Sequence, residues 1–187
     1  MTITTSDPAS LDLWGPQWDF AVGLYQKPGV SEACLTLQDA LGVDVCLLLF
    51  ALFAAREHDV QLDRVSLQEL DRVVAEWRDQ VVRPLRAIRR RLKGDPPPQA
   101  ASDVHALREQ IKKSEIEAEQ IELAMLGRHF SENPPAPRTE PADISAVLDE
   151  VADYFAMRSG NATAQAPEMR SALRDIAAAV DGVARPG

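Results

Sequence analysis

One run of apolar side chains limits how this chain can fold more than any other feature. Val43–Ala55 reads VDVCLLLFALFAA, thirteen residues in which only Asp44 is polar. That is short of the ~20 residues needed to span a bilayer. A helix that is apolar almost all round is a central core element, so the remaining segments must wrap it. Asp44 stands where a side-chain oxygen caps a helix, and Gly42 suits the left-handed closure of a helix before it. The pattern predicts one helix over about Glu32–Leu41, capped by Ser31, and a second from Asp44 to about Glu57.

Gln38, Asp39 and Asp44 interrupt this apolar region (ACLTLQDALGVDVCLLLFALF, 33–53). Gln38 follows Cys34 by four positions and so shares the core face. A buried amide left unpaired costs about 1–3 kcal/mol, and the turn at 41–44 offers free backbone groups. The preferred reading is hinge hardware: Gln38 bonds the turn, Asp44 caps the next helix, and Asp39 pairs with an arginine. The alternative is a small-ligand or enzyme pocket formed by Gln38, Asp39 and Asp44, with Trp14, Trp18 or Tyr25 as a lid.

The other periodic segments are helical too. Pro16 suits the first turn of a helix reaching Gln26. Ser66 and Glu69 form a capping box for a helix running to about Lys93. Pro84 should interrupt that helix near Val81–Arg83. Gly94 and the prolines at 96–98 end it, and a helix capped by Ser102 follows from Asp103 to about Phe130. These two long helices form an antiparallel hairpin. A proline-rich stretch, SENPPAPRTEP, occupies 131–141. Beyond it Ile144, Val147, Leu148, Val151 and Phe155 mark one amphipathic helix, and Met169, Leu173, Ile176, Val180 and Val183 a second. These either dock on the bundle or serve self-association or a partner. The expected architecture is all-α: a bundle domain over 8–130, a linker over 131–141 and a helical extension over 142–187.

A net charge of −9 argues against general nucleic-acid binding. Cys34 and Cys46 provide no disulfide framework and read as buried thiols in a reducing compartment. The N-terminus has no basic head followed by an apolar stretch, so the expected location is cytoplasmic. There is no Cys-x-x-Cys, and His58, His105 and His129 are scattered. Glu115, Glu119 and Glu122 share one side of a helix without the Glu-x-x-His of di-iron bundles. They read as a solvated acidic face, with Ile116, Ile121 and Leu126 buried. No catalytic set, metal or cofactor is expected.

Charge is polarised along the chain. Residues 83–113 hold nine basic and three acidic side chains, a balance of +6 that leaves −15 for the remainder. Pairing about Pro98 sets residues 83–93 beside 103–113 and the acidic stretch 115–122 beside 74–81. The basic tip would therefore lack neutralising partners in its own hairpin. No aromatic residues are interleaved for base stacking. The function expected from this layout is a non-catalytic adaptor or assembly factor. It would contact an acidic protein through Arg83, Arg86, Arg89, Arg90 and Lys93, or RNA or the ribosome through the same tip.

A set of motifs also points to a family. They are Trp18, Tyr25 before Pro28-Gly29-Val30, Cys34-Leu35, Leu37-Gln38-Asp39, Gly42-Val43-Asp44-Val45, Leu47-Leu48-Leu49-Phe50, and Trp77 with Val81-Val82-Arg83-Pro84-Leu85-Arg86. From Trp14 to about Arg128 the chain resembles a family of small proteobacterial proteins defined by a domain of unknown function, in which asparagine is commoner at position 46. The resemblance implies an all-helical fold and a bacterial cytoplasmic setting, and it implies no activity.

Overall fold

The computed structural model describes residues 10–135, 140–160, 166–180 and 182. Eight α-helices and no strand occur among them: α1 Pro16–Tyr25, α2 Val30–Leu41, α3 Val45–His58, α4 Arg64–Trp77, α5 Arg83–Arg91, α6 Ala101–Glu132, α7 Ile144–Ser159 and α8 Pro167–Val180. The all-α expectation is met. No helix among the described residues is long and apolar enough to cross a membrane.

The expected turn chemistry holds around α3. Gly42 takes φ 72° and closes α2, and Asp44 caps α3 by accepting from the Leu47 N–H at 3.0 Å. Three helix starts differ. α4 begins three residues earlier than expected, because Asp63 accepts from the Ser66 N–H at 2.8 Å. A carboxylate is a stronger cap at the positive end of a helix than the hydroxyl of Ser66. α2 starts at Val30 after Gly29, whose φ of 82° only glycine adopts readily. α6 is led in by a 3₁₀ turn at Pro98–Ala100, so Ser102 lies inside the helix rather than capping it.

α4 and α5 form one rod joined by a π-helical turn at Arg78–Val82. Pro84 offers no N–H, and its ring crowds the carbonyl four residues earlier, so the turn before it widens. The interruption expected near Val81–Arg83 takes this form.

α3 is the axis of the core. Its Leu47, Leu48, Phe50 and Leu52 are fully buried, and it packs against α1, α6 and α7. The C-terminal helices dock on this core: α8 lies along α2, and α7 along α3 and α4. Val147, Leu148, Val151 and Phe155 of α7 and Met169, Leu173, Ile176 and Val180 of α8 join the same hydrophobic cluster as Leu37 and Leu41. The stripe that the sequence offered for self-association is thus used within the chain. Val183 and linker residues 136–139 lie outside the described residues. α5 has no fully buried side chain.

Because both segments share one core, Ile176→Ala should destabilise the whole chain by about 2–5 kcal/mol. Urea unfolding followed by circular dichroism should show one transition shifted as a unit, not an early loss of two helices.

Candidate functional site

Where α2, α3 and α6 meet the π turn, the interior is polar. Arg78 is only 5% exposed. Its Nη1 donates to Asp44 Oδ2 at 2.8 Å and to Asp71 Oδ1 at 2.6 Å. Asp71 Oδ2 in turn accepts from the Tyr154 hydroxyl at 2.9 Å and from Arg158. The network ties the α3 cap, α4, the π turn and α7 together. A buried ion pair of this kind contributes little net stability, but removing one partner is expensive.

Glu122 of α6 reaches the same place and is 1% exposed. Burial, followed by the negative charge of Asp44, pushes its carboxyl up to about 10. Burial also opposes the Asp44 carboxylate, yet Arg78, a hydrogen bond from Glu122 and the Leu47 N–H hold it below its ordinary value. The two carboxyls therefore share one proton, carried by Glu122 beside an ionised Asp44. No donor among the described residues reaches Glu122 Oε1, and Arg78 Nε is likewise buried without a hydrogen-bond partner. Cys46 lies next to the pair, its thiol pushed well up by burial and then by Glu122 and Glu119.

These groups form the floor of a cleft of about 210 Å³ whose walls include Gln38, Asp39, Arg86 and Arg90. Gln38, Asp39 and Asp44 are thus brought together, as the pocket reading requires. Trp14, Trp18 and Tyr25 are not on its wall, so the expected aromatic lid is absent. The Gln38 side-chain carbonyl does not serve the turn but accepts from Arg86 Nη1 at 2.5 Å, while its backbone carbonyl accepts from the Gly42 N–H at 3.0 Å. Asp39 pairs with Arg90 at 3.1 Å, as expected of hinge hardware.

The expected unneutralised tip is corrected by five ion pairs. Arg83 meets Asp79 at 2.7 Å, Arg86 meets Glu115 at 3.0 Å and Glu119 at 2.6 Å, and Arg89 meets Glu115. Arg90 has Asp39. Only Lys93 of the five has no carboxylate partner among the described residues. The backbone register is close to that expected, since Trp77 Nε1 donates to the Ala118 carbonyl at 2.9 Å. The difference lies in side-chain direction. Helical side chains lean toward their own N-terminus. In an antiparallel hairpin, arginines on α5 therefore lean toward the body while Glu115 on α6 leans toward the tip, and they meet between.

The solvated acidic face is corrected for the same reason. Glu115 and Glu122 are buried, Glu119 is half-buried, and Ile116 is instead exposed. Arg78, Asp71, Tyr154 and Arg158 were missed by sequence reasoning. One signal existed: Asp71 interrupts the Leu67, Leu70, Val74 stripe of α4, and Arg78 falls seven residues later on the same face.

Two outcomes follow. Asp44→Ala should cost about 3–5 kcal/mol, the scale for stranding one partner of a buried pair, and not the ~0.5–2 kcal/mol of a lost cap. Glu122 holds in the folded state a proton that the unfolded chain releases above about 4.5. Its contribution to stability is therefore complete below that value and declines up to about pH 10, with a limiting slope of about 1.4 kcal/mol per pH unit. Asp44, with a lowered value, acts only on the acid side of this window. Urea midpoints at pH 6 and pH 9 should consequently differ more in the wild type than in Glu122→Gln.

Residues 16–126 match the model of a family described as Protein of unknown function (DUF2390). No curated protein and no solved structure matches the chain. The matched span runs from the start of α1 into α6 and so carries the whole polar floor except the groups contributed by α7. The chain belongs to this family of proteins of unknown function.

Proposed function

We propose that the chain is a ligand-binding module whose site is the cleft above Asp44 and Glu122. The observation that carries this reading is a pair of buried polar atoms on one floor, Glu122 Oε1 and Arg78 Nε, that make no hydrogen bond among the described residues, the nearest carboxylate to Arg78 Nε being Asp79 at 3.7 Å. A buried polar atom without a partner costs about 1–3 kcal/mol, and such atoms are few in native proteins and call for an explanation. A ligand that presents a cation or a hydrogen-bond donor to Glu122 supplies one.

Two further features favour this site over the hairpin tip. π turns inside α-helices concentrate at functional sites, and this one supplies Arg78. Carboxyl pairs driven apart in proton affinity by their surroundings are also a mark of such sites. The tip reading, an adaptor contacting an acidic protein or RNA, rested on unpaired guanidinium groups, and Arg83, Arg86, Arg89 and Arg90 have carboxylate partners within the chain. A bacterial cytoplasm is the setting in which we place the module.

Thermal-shift screening of the purified chain against small polar metabolites and metal salts tests the reading. A ligand at a hundred times its Kd stabilises by about 2.7 kcal/mol, which is a rise of several degrees for a chain of this size. We expect at least one compound or ion to give such a rise in the wild type and not in Glu122→Gln. A screen in which every shift survives that substitution removes the cleft as the site.

A further inference from the structure

The floor of the cleft brings three potential metal ligands together from distant parts of the sequence. One carboxylate oxygen of Asp44, the Sγ of Cys46 and one carboxylate oxygen of Glu122 all lie within 4.8 Å of one another, and all three residues are buried. Deepening the cleft reading, on which it rests, we propose that Asp44, Cys46 and Glu122 bind one divalent transition-metal cation of the zinc class, with a remaining coordination position turned toward the cleft.

The distances suit the assignment. Zinc holds carboxylate oxygen at about 2.0–2.2 Å and thiolate sulfur at about 2.3 Å, so tetrahedral ligands stand roughly 3.3–3.8 Å apart. Closing the observed spacing takes about 1 Å of movement by rotatable side chains. Three protein ligands with a fourth position open is the arrangement of catalytic zinc sites rather than structural ones. One of the ligands is already oriented, Asp44 being fixed by the Leu47 N–H and by Arg78 Nη1. Outer groups of this kind set ligand direction in metal sites.

Glu122 is the independent indication. Its Oε1 is buried and no donor among the described residues reaches it. A metal cation held between Glu122, Asp44 and Cys46 would satisfy that oxygen.

Charge balance points to a divalent ion. With both carboxyls and the thiol ionised the three ligands carry −3. Asp71 and Asp79 add two negative charges, and the guanidinium groups of Arg78 and Arg158 add two positive ones. The sum is −3, the larger part of which a divalent cation cancels. The α3 N-terminus repels a cation with only about half an elementary charge, too little to reverse this balance. The thiolate selects zinc or cobalt over magnesium or calcium, which prefer oxygen alone.

Cobalt(II) titration of the chelator-treated full chain tests the assignment. One cobalt per chain should bind with a thiolate-to-cobalt charge-transfer band, and zinc should displace it. Both displaced protons, from Cys46 and Glu122, should appear in weakly buffered solution near pH 8. Cys46→Ser should abolish the band and weaken zinc binding by at least tenfold, while Cys34→Ser, altering a buried thiol outside the cluster, should leave both unchanged. Glu122→Gln, checked for an unchanged circular-dichroism spectrum, should release one proton fewer and bind at least tenfold more weakly. Absence of saturable one-to-one binding, or a band that survives Cys46→Ser, overturns the metal assignment. If an organic compound still gives a Glu122-dependent thermal shift, the metal alone is overturned. If neither metal nor compound does, the cleft reading goes with it.

Discussion

Arg78 carries its guanidinium into the interior, and the arrangement of four elements depends on keeping it neutralised there. A buried cation must be met by anions with good geometry, since the desolvation penalty otherwise amounts to several kcal/mol. Asp44 meets it from the cap of α3 and Asp71 from its own face of α4. Tyr154 and Arg158 then complete Asp71 from α7. Apolar packing is tolerant of small slides, whereas these contacts are not. The network therefore fixes the rotation of α4 about its axis and the register of α7 against it, while the largely apolar α3 forms the axis of the core.

The sequence was most legible where one local signal acted alone. Gly42 and Asp44 announced a left-handed closure and a cap three residues from a core helix, and both are present. Pro84 announced a break in the α4–α5 rod, although not that the break would be a π turn. The long stripes of α7 and α8 were readable as amphipathic, but periodicity identifies a buried face without naming what covers it. α2 covers α8, and that contact joins residues some 140 positions apart. The helix starts at Asp63 and Ala101 were misread because several polar residues near each start compete to cap it.

The acidic side of α6 was less legible, for a reason of geometry. Glu115, Glu119 and Glu122 recur at the spacing of one helical face, and so do the isoleucines beside them. Composition favours burying the isoleucines. What reverses this locally is the supply of guanidinium groups from Arg86 and Arg89, which make the buried position of Glu115 electrostatically favourable and hold its carboxyl below the ordinary range despite burial. Neither set of charges could be buried without the other. Reading each helix by itself therefore leads to two exposed charged faces, and reading them as an antiparallel pair with side chains leaning toward each other leads to one half-buried seam.

Glu122 is the exception within that seam, and the contrast with Glu115 locates the site. Glu115 has two arginines, and its charge is stabilised. Glu122 is more deeply buried, faces an anion, and makes no ion pair with an arginine among the described residues, although the charge of Arg78 acts on it weakly against burial. A leucine of similar volume at this position would avoid the desolvation, and such replacements of buried ionisable groups are commonly neutral or stabilising. A carboxyl that is costly where it stands, next to an ionised carboxylate and a thiol and opening on a polar cleft, is what a binding centre requires and what a structural core avoids. Residues that depart from local rules for stability concentrate where function lies, and Glu122 is such a departure: it bonds Asp44, yet its Oε1 has no donor among the described residues.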